Sequence, residues 1–259
     1  MAAQHIVSVS SQEEVADGLF LLRFRSKQIA QTSLPGQFVN IRTSDGFAPF
    51  LRRPFSISRV DGELVEILFN IVGAGTRLLA EKRSGDTLDV LGPLGVPFGY
   101  RGDFDTALIV AGGLGVAPFP LLSSWLQREE KQMVSFVGAR SAYQLYRLNL
   151  RNPQYATDDG STGMKGTVVE LLARYMDNHR VPKPKIFGCG PTRMLQALSE
   201  FAQKNNMECE LSLEGDMACG IGLCQGCPVE RVSGHNGQKK YALVCTEGPA
   251  FQCRDIILS

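Results

Sequence analysis

The chain has 259 residues, 44% of them hydrophobic and 20% charged, with a formal net charge of +1. That balance suits a globular protein of more than one domain and lacks the basic excess that phosphate backbones or anionic membranes reward, so neither nucleic acid nor membrane is expected as a partner. With no uninterrupted apolar run of about 18 residues and no signal-like N-terminus, a cytoplasmic location is predicted; in a reducing compartment, clustered cysteines hold metal or do redox chemistry.

Residues 1–102 alternate short apolar stretches, "HIVSVS", "LFLLRFRS", "QFVNIR", "FSISRV", "LVEILFNIV" and "TLDVLG", with Gly, Pro, Asp and Ser breaks. This spacing predicts an antiparallel β-barrel. Within it, "LRRPFSIS" places Arg53, Pro54, Phe55 and Ser56 on one strand. A guanidinium suits a pyrophosphate, an aromatic ring a planar cofactor, and a hydroxyl the edge of such a ring. Taken alone, an Arg-Pro-aromatic strand is more often plain structure. It is followed by "NIVGAGTRLL", where Gly73, Gly75 and Thr76 lead into a predicted helix whose N-terminal N–H groups suit a phosphate oxygen.

Residues 103–210 change rhythm. "TALIVAGG", "QMVSFVGAR", "PKIFGCG" and "ECELSL" read as buried strands, separated by the amphipathic helical segments "PLLSSWLQREE", "GTVVELLARYMDN" and "TRMLQALSEFAQKN". Such alternation predicts a doubly wound α/β domain. "IVAGGLGVAPFPLL" is laid out as a dinucleotide turn, with Gly112, Gly113 and Gly115 before a helix opened by Pro118, although Pro118 stands where a standard fingerprint has its third glycine. Cys189, in "GCGP", ends a later strand at the carboxyl edge where such sheets bind ligands, although an isolated cysteine after a strand is core more often than not.

Residues 211–259 hold "MACGIGLCQGC". Cys219, Cys224, Cys227 and Cys245 are separated by four, two and seventeen residues, the plant-type spacing of a [2Fe–2S] cluster. Gly220, Gly222 and Gly226 allow the backbone to wrap closely around inorganic sulfide. A structural zinc site is the alternative, but it usually pairs two Cys-x2-Cys units and only one is present. "VERVS" and "KKYALV" flank "GHNG", predicting a hairpin that returns Cys245 to the loop. Cys209 and Cys253 fall outside the pattern and read as small buried hydrophobes.

Together these motifs resemble the ferredoxin-reductase superfamily: a flavin-binding barrel, a nicotinamide-nucleotide domain and, here, a C-terminal plant-type cluster domain. The order of "PGQFV", "LRRPFSIS", "VGAGTRLL", "AGGLGVAP", "CGPTRML", "MACGIGLCQGC" and "VCTEGPAF" is most similar to that of the electron-transfer subunits of type B dihydroorotate dehydrogenases. The resemblance implies FAD contacts from Arg53, Pro54, Phe55, Ser56, Asn70, Ile71, Val72, Gly73, Gly75 and Thr76. It implies a nicotinamide side built from Gly112, Gly113, Gly115, Pro118 and Cys189, and cluster ligation by Cys219, Cys224, Cys227 and Cys245. Asp158 and Asp159, in "ATDDGS", fall by similarity near the adenosine ribose, where a carboxylate favours NAD(H); Arg140 nearby argues for a 2′-phosphate. Val96 and Pro97, and Cys253, depart from the family pattern.

A nicotinamide moves two electrons as hydride and a [2Fe–2S] cluster moves one, and a flavin converts between them. No constellation suited to oxidising a dihydropyrimidine is evident, since His5, His179 and His235 read as solvated. The resemblance therefore implies a separate FMN-containing dihydroorotate dehydrogenase catalytic subunit, in a two-plus-two heterotetramer serving pyrimidine synthesis. The nearest rivals keep the cofactors and change the partner: subunits of bifurcating ferredoxin:NADP oxidoreductases, which often replace one cluster cysteine by a carboxylate, and of hydrogenases. An iron–sulfur carrier or sensor without enzymatic activity is the more distant one.

Overall fold

The computed structural model describes residues 3–44, 46–146, 148, 150–232 and 240–258. Chain order begins β1 (Ala3–Ala16), β2 (Leu19–Arg25), α1 (Lys27–Thr32), β3 (Phe38–Arg42), β4 (Arg53–Asp61), β5 (Leu64–Asn70), α2 (Ala74–Ala80) and β6 (Thr87–Leu94). The six strands close into an antiparallel barrel in the order β1-β2-β5-β4-β3-β6. Alternation explains the closure. Leu22, Phe24, Val39, Ile41, Ile57, Val65, Ile67 and Val90 are wholly buried and fill the interior, while their neighbours along each strand face outward.

The second layer follows as β7 (Thr106–Gly112), α3 (Phe119–Arg128), β8 (Gln132–Ala139), β9 (Pro153–Thr157), β10 (Met164–Lys165), α4 (Val168–Asn178), β11 (Pro184–Cys189), α5 (Thr192–Lys204) and β12 (Glu208–Ser212). All residues of β7 are buried, as befits a central parallel strand covered by helices on both faces. α4 begins at Thr167, whose hydroxyl accepts the Glu170 N–H while Glu170 accepts the Thr167 N–H, a reciprocal cap. α3 joins this layer to the barrel: Leu121 and Trp125 on its face pack into the barrel cluster.

The last segment contributes β13 (Pro228–Arg231), β14 (Tyr241–Leu243), β15 (Ala250–Gln252) and β16 (Ile256–Ile257). β13 and β14 pair antiparallel, bringing Cys227 and Cys245 together at one end; the expected turn at 234–237 lies outside the described residues. β15 does not stay with them. It pairs antiparallel with β12, giving one sheet of order β10-β9-β8-β7-β11-β12-β15 that contains residues on both sides of position 210. Among the described residues no helix is long and apolar enough to cross a membrane.

A buried ion pair sits where the segments meet. Lys185 on β11 and Glu210 on β12 are 4% and 6% exposed, with Nζ 2.8 Å from Oε1. Glu210 also accepts from the Gly99 N–H at 2.7 Å and from the Gln252 amide at 3.0 Å, and Lys185 donates to the Gly99 carbonyl at 2.8 Å. A side chain at Gly99 would put its Cβ 2.6 Å from that carboxylate, so only glycine allows the approach. Lys185→Met leaves Glu210 buried without its cation, and is expected to lower the unfolding free energy by about 3 to 5 kcal/mol, read from the denaturant midpoint.

Candidate functional site

A cleft of about 1020 Å³ opens where barrel, sheet and C-terminal segment converge. The barrel wall carries Arg53, Pro54, Phe55 and Ser56 of β4, Asn70 at the end of β5, and Val72 and Thr76 around the start of α2. The opposite wall carries Leu114, Ala117 and Pro118 from the turn after β7, and Cys189 from the end of β11. The residues Ser212 to Ala218, between β12 and the cysteine loop, form its floor with Gly226 and Pro249.

The two arginines of "LRRPFSIS" have separate fates. Arg52 is spent on Asp89, at 2.7 Å, and on the backbone carbonyl of the same residue. Arg53 donates to the carbonyls of Leu51 and Arg52, and among the described residues no carboxylate pairs with it. Its Nε lies 3.2 Å from where a Cβ on Gly75 would stand, and the buried Thr43 hydroxyl beside the same point has no partner among the described residues. A cation without a counter-ion, an orphaned hydroxyl and a glycine that leaves the approach open suit a phosphate group. Phe55 packs on Phe69, ring centroids 5.6 Å apart, leaving an apolar surface for a flat ring. Thr76 has a structural task as well: its hydroxyl accepts the N–H groups of Val72 and Gly73, closing the first turn of α2. Ile71 and Gly73 stand on the exposed approach to that helix.

The glycine turn and the Cys189 turn fit into each other. A Cβ on Gly115 would fall 2.3 Å from the Cys189 carbonyl oxygen, and one on Gly112 would fall 2.9 Å from Pro191. Gly113 takes a φ of +54°, in the left-handed region, and points into open space. Burial pushes the Cys189 thiol up, with the nearby Glu214 carboxylate adding to the effect, so it is a neutral thiol rather than a nucleophile. Asp158 and Asp159 lie away from the cleft, where their N–H groups bond the carbonyls of Ala139 and Arg140 and bring the ends of β8 and β9 together. Asp159 accepts from the Ser161 hydroxyl and N–H, which hold it below the usual carboxylate range, so its carboxylate serves the turn. Among the described residues Asp158 has no such partner.

Sequence reasoning missed the floor of the cleft. Glu214 lines the cleft, and desolvation there pushes its carboxyl up. The signal was topological. A chain leaving β12 at its carboxyl end to reach Cys219 must pass the crevice where such sheets bind ligands.

In the cysteine loop, burial raises the Cys219 thiol, but the N–H groups of Cys224, Ile221 and Leu223 outweigh it and bring it down to about 7. The Cys224 N–H lies 3.4 Å from Cys219 Sγ, and the Gly226 N–H 3.4 Å from Cys224 Sγ. Cys245 is raised to about 12, by burial first and then by its neighbour Cys227. The cysteines thus stand as two neighbouring pairs, Cys219 with Cys224 and Cys227 with Cys245. Two pairs, with N–H groups aimed at sulfur, suit a two-iron cluster.

The barrel, the doubly wound sheet and the appended cysteine loop define a ferredoxin-reductase-like protein with a plant-type cluster domain. A chain from the structure of an NADH-dependent reduced ferredoxin–NADP oxidoreductase superposes with a TM-score of 0.84 at 24% identity, covering 100% of this chain and 92% of that one. A ferredoxin reductase of carbazole 1,9a-dioxygenase superposes at 0.69 and 20% identity over 80% of this chain and 67% of that one. Residues 214–257 match the iron-sulfur cluster binding domain of dihydroorotate dehydrogenase B. The dihydroorotate dehydrogenase B (NAD(+)) electron transfer subunit of Desulforamulus reducens is 36% identical over 94% of both chains, and that of Bacillus cereus 35% identical over the whole of both. The chain belongs to this family of electron transfer subunits.

If Arg53 is the phosphate partner and Arg52 a structural one, Arg53→Gln is expected to weaken flavin retention roughly tenfold to a hundredfold, the loss of one charge-assisted hydrogen bond of about 1.5–3 kcal/mol. Arg52→Gln should leave retention within about threefold, the scatter expected of a residue outside the cleft. Flavin titration into the stripped protein measures both.

Proposed function

We propose that this chain passes electrons between a partner that oxidises dihydroorotate and NAD⁺, holding FAD, a [2Fe–2S] cluster and NAD(H) for that passage. The observation that carries the reading is the single cleft lined by all three segments, with the flavin motif on one wall, the nicotinamide motif on another and the approach to the cysteine loop as its floor. Arg53, Pro54, Phe55, Ser56, Asn70, Ile71, Val72, Gly73, Gly75 and Thr76 hold the FAD. Gly112, Gly113, Gly115 and Pro118 receive the nicotinamide dinucleotide, with Asp158 rather than Asp159 left for the ribose and Cys189 bordering the nicotinamide. Cys219, Cys224, Cys227 and Cys245 hold the cluster.

When bound, the flavin supplies the exchange between hydride and single electrons. The chain's own residues supply the setting. Arg53 orients a diphosphate, and the neutral, buried Cys189 excludes water without offering a competing nucleophile. Cys219, at about 7, reaches its ligating thiolate form near neutral pH with little cost. Oxidation of dihydroorotate belongs to an FMN-containing catalytic subunit, assembled with this chain two by two, in the reducing cytoplasm that suits cysteines kept out of disulfides. The product serves pyrimidine synthesis.

The test is the visible spectrum of the anaerobically purified complex, recorded with its released flavin. NADH is expected to bleach the flavin and cluster bands with or without the partner, and dihydroorotate only when the FMN subunit is present. Oxidation of dihydroorotate by the isolated chain, or a colourless zinc protein, would overturn the reading.

A further inference from the structure

Asn40 lies on β3, between Val39 and Ile41, whose side chains are wholly buried inside the barrel. Alternation therefore turns Asn40 outward, and yet it too has no exposed surface. What covers it is the cysteine loop. Its Nδ2 donates to the carbonyl oxygen of Cys219 at 3.3 Å, and a Cβ on Gly220 would stand 2.6 Å from the same nitrogen. Gly220 has a φ of +74°, so glycine is required there both for backbone conformation and for room. The Asn40 Oδ1 has no partner among the described residues.

Burying an amide half satisfied is unfavourable, and an outward strand position packed beside Leu94 would take an apolar residue more cheaply. Among the described residues, the one bond this side chain makes goes to the backbone of a thiolate ligand. The same strand is the neighbour of the flavin motif, with Asn40 opposite Pro54 in the β3–β4 register. Arg52, paired to Asp89, further fixes this stretch by donating to the Asn40 carbonyl at 3.4 Å.

We infer that Asn40 is a positioning residue for the iron–sulfur cluster: it clamps the Cys219 peptide to the flavin barrel and so fixes the Cys219–Cys224 ligand pair relative to the flavin. With no exposed surface of its own, it acts through Cys219. Partners one step behind a ligand set its orientation and tune the metal centre, and here that partner comes from the flavin domain. The inference rests on the cofactor assignment proposed above.

The experiment uses the whole complex, wild type and Asn40→Leu, which keeps the size and removes the donor. Expected are an altered electron paramagnetic resonance signature of the reduced cluster and at least tenfold slower electron transfer from flavin to cluster in stopped flow. FAD content and the rate of flavin reduction by NADH should stay within twofold. An Asn40→Leu complex with unchanged resonance and unchanged transfer overturns the inference while leaving the cofactor reading intact; a wild-type complex with no cluster resonance overturns both. Should the leucine variant lose its cluster altogether, Asn40→Ser, which keeps a short donor, is expected to regain it. A serine variant as empty as the leucine one makes Asn40 a packing residue and overturns the inference.

Discussion

The Lys185–Glu210 pair is the constraint on which the arrangement of the three segments depends. Its ammonium and carboxylate belong to adjacent parallel strands, but the bonds that complete it come from elsewhere: Gly99 at the exit of the barrel and Gln252 on β15. Two buried charges are tolerated only where nearly all their donors and acceptors are met, and here that condition is met only when barrel, sheet and C-terminal strand are all in place. Phe104 and Phe187 lie beneath the ammonium and keep water from replacing those partners. An ion pair of this kind adds little net stability over apolar packing. What it specifies is one relative placement of three segments, and a protein that must hold redox groups at fixed separations needs that specificity.

Close backbone approach does the equivalent work inside the cleft. The glycine turn after β7 and the turn after β11 interlock because Gly115 has no Cβ where the Cys189 carbonyl stands. Val96 extends the same logic to the C-terminus, its N–H bonding the Gly248 carbonyl at 2.6 Å and its backbone bridging to Pro249. This departure from the family pattern therefore falls at a main-chain contact, which a change of side chain perturbs little. Cys253, the other departure, is a buried residue directly after β15, packed in the apolar cluster that also holds Cys209.

Much of this was legible in the sequence because it rests on local rules. The alternation in "LVEILFNIV" is that of a barrel strand with one face inside, and the unbroken apolar run of "TALIVAGG" is that of a strand covered on both faces. The spacing puts Cys219, Cys224 and Cys227 on one loop before any fold is known, and it leaves Cys245 to be returned by a hairpin. What was not legible depends on contacts distant in sequence. Nothing in "EGDM" announces that it floors a cleft 160 residues away from "RPFS", and nothing in "GPAFQ" announces that it leaves its own hairpin to pair with β12. Likewise Asp158 and Asp159 look equivalent in the sequence. The turn distinguishes them by spending Asp159 on Ser161.

The cysteine loop has two unlike halves, and the difference follows from where each is anchored. Cys227 and Cys245 are 4% and 2% exposed, at the ends of β13 and β14, and belong to the apolar cluster that continues into the nucleotide sheet. Cys219 and Cys224 stand on the glycine-rich turn, with Cys224 exposed and Leu223, between them, 79% exposed. The first half is rigid because the core holds it. The second has no core of its own, and backbone N–H groups and the Asn40 clamp do that work instead. The inner half thus inherits its position from the sheet that carries the nucleotide motifs, and the outer half inherits its position from the barrel that carries the flavin motif. A cluster held by both would report the relative placement of the two domains directly, which is how a mechanical constraint such as the Lys185–Glu210 pair can bear on electron transfer without touching a cofactor.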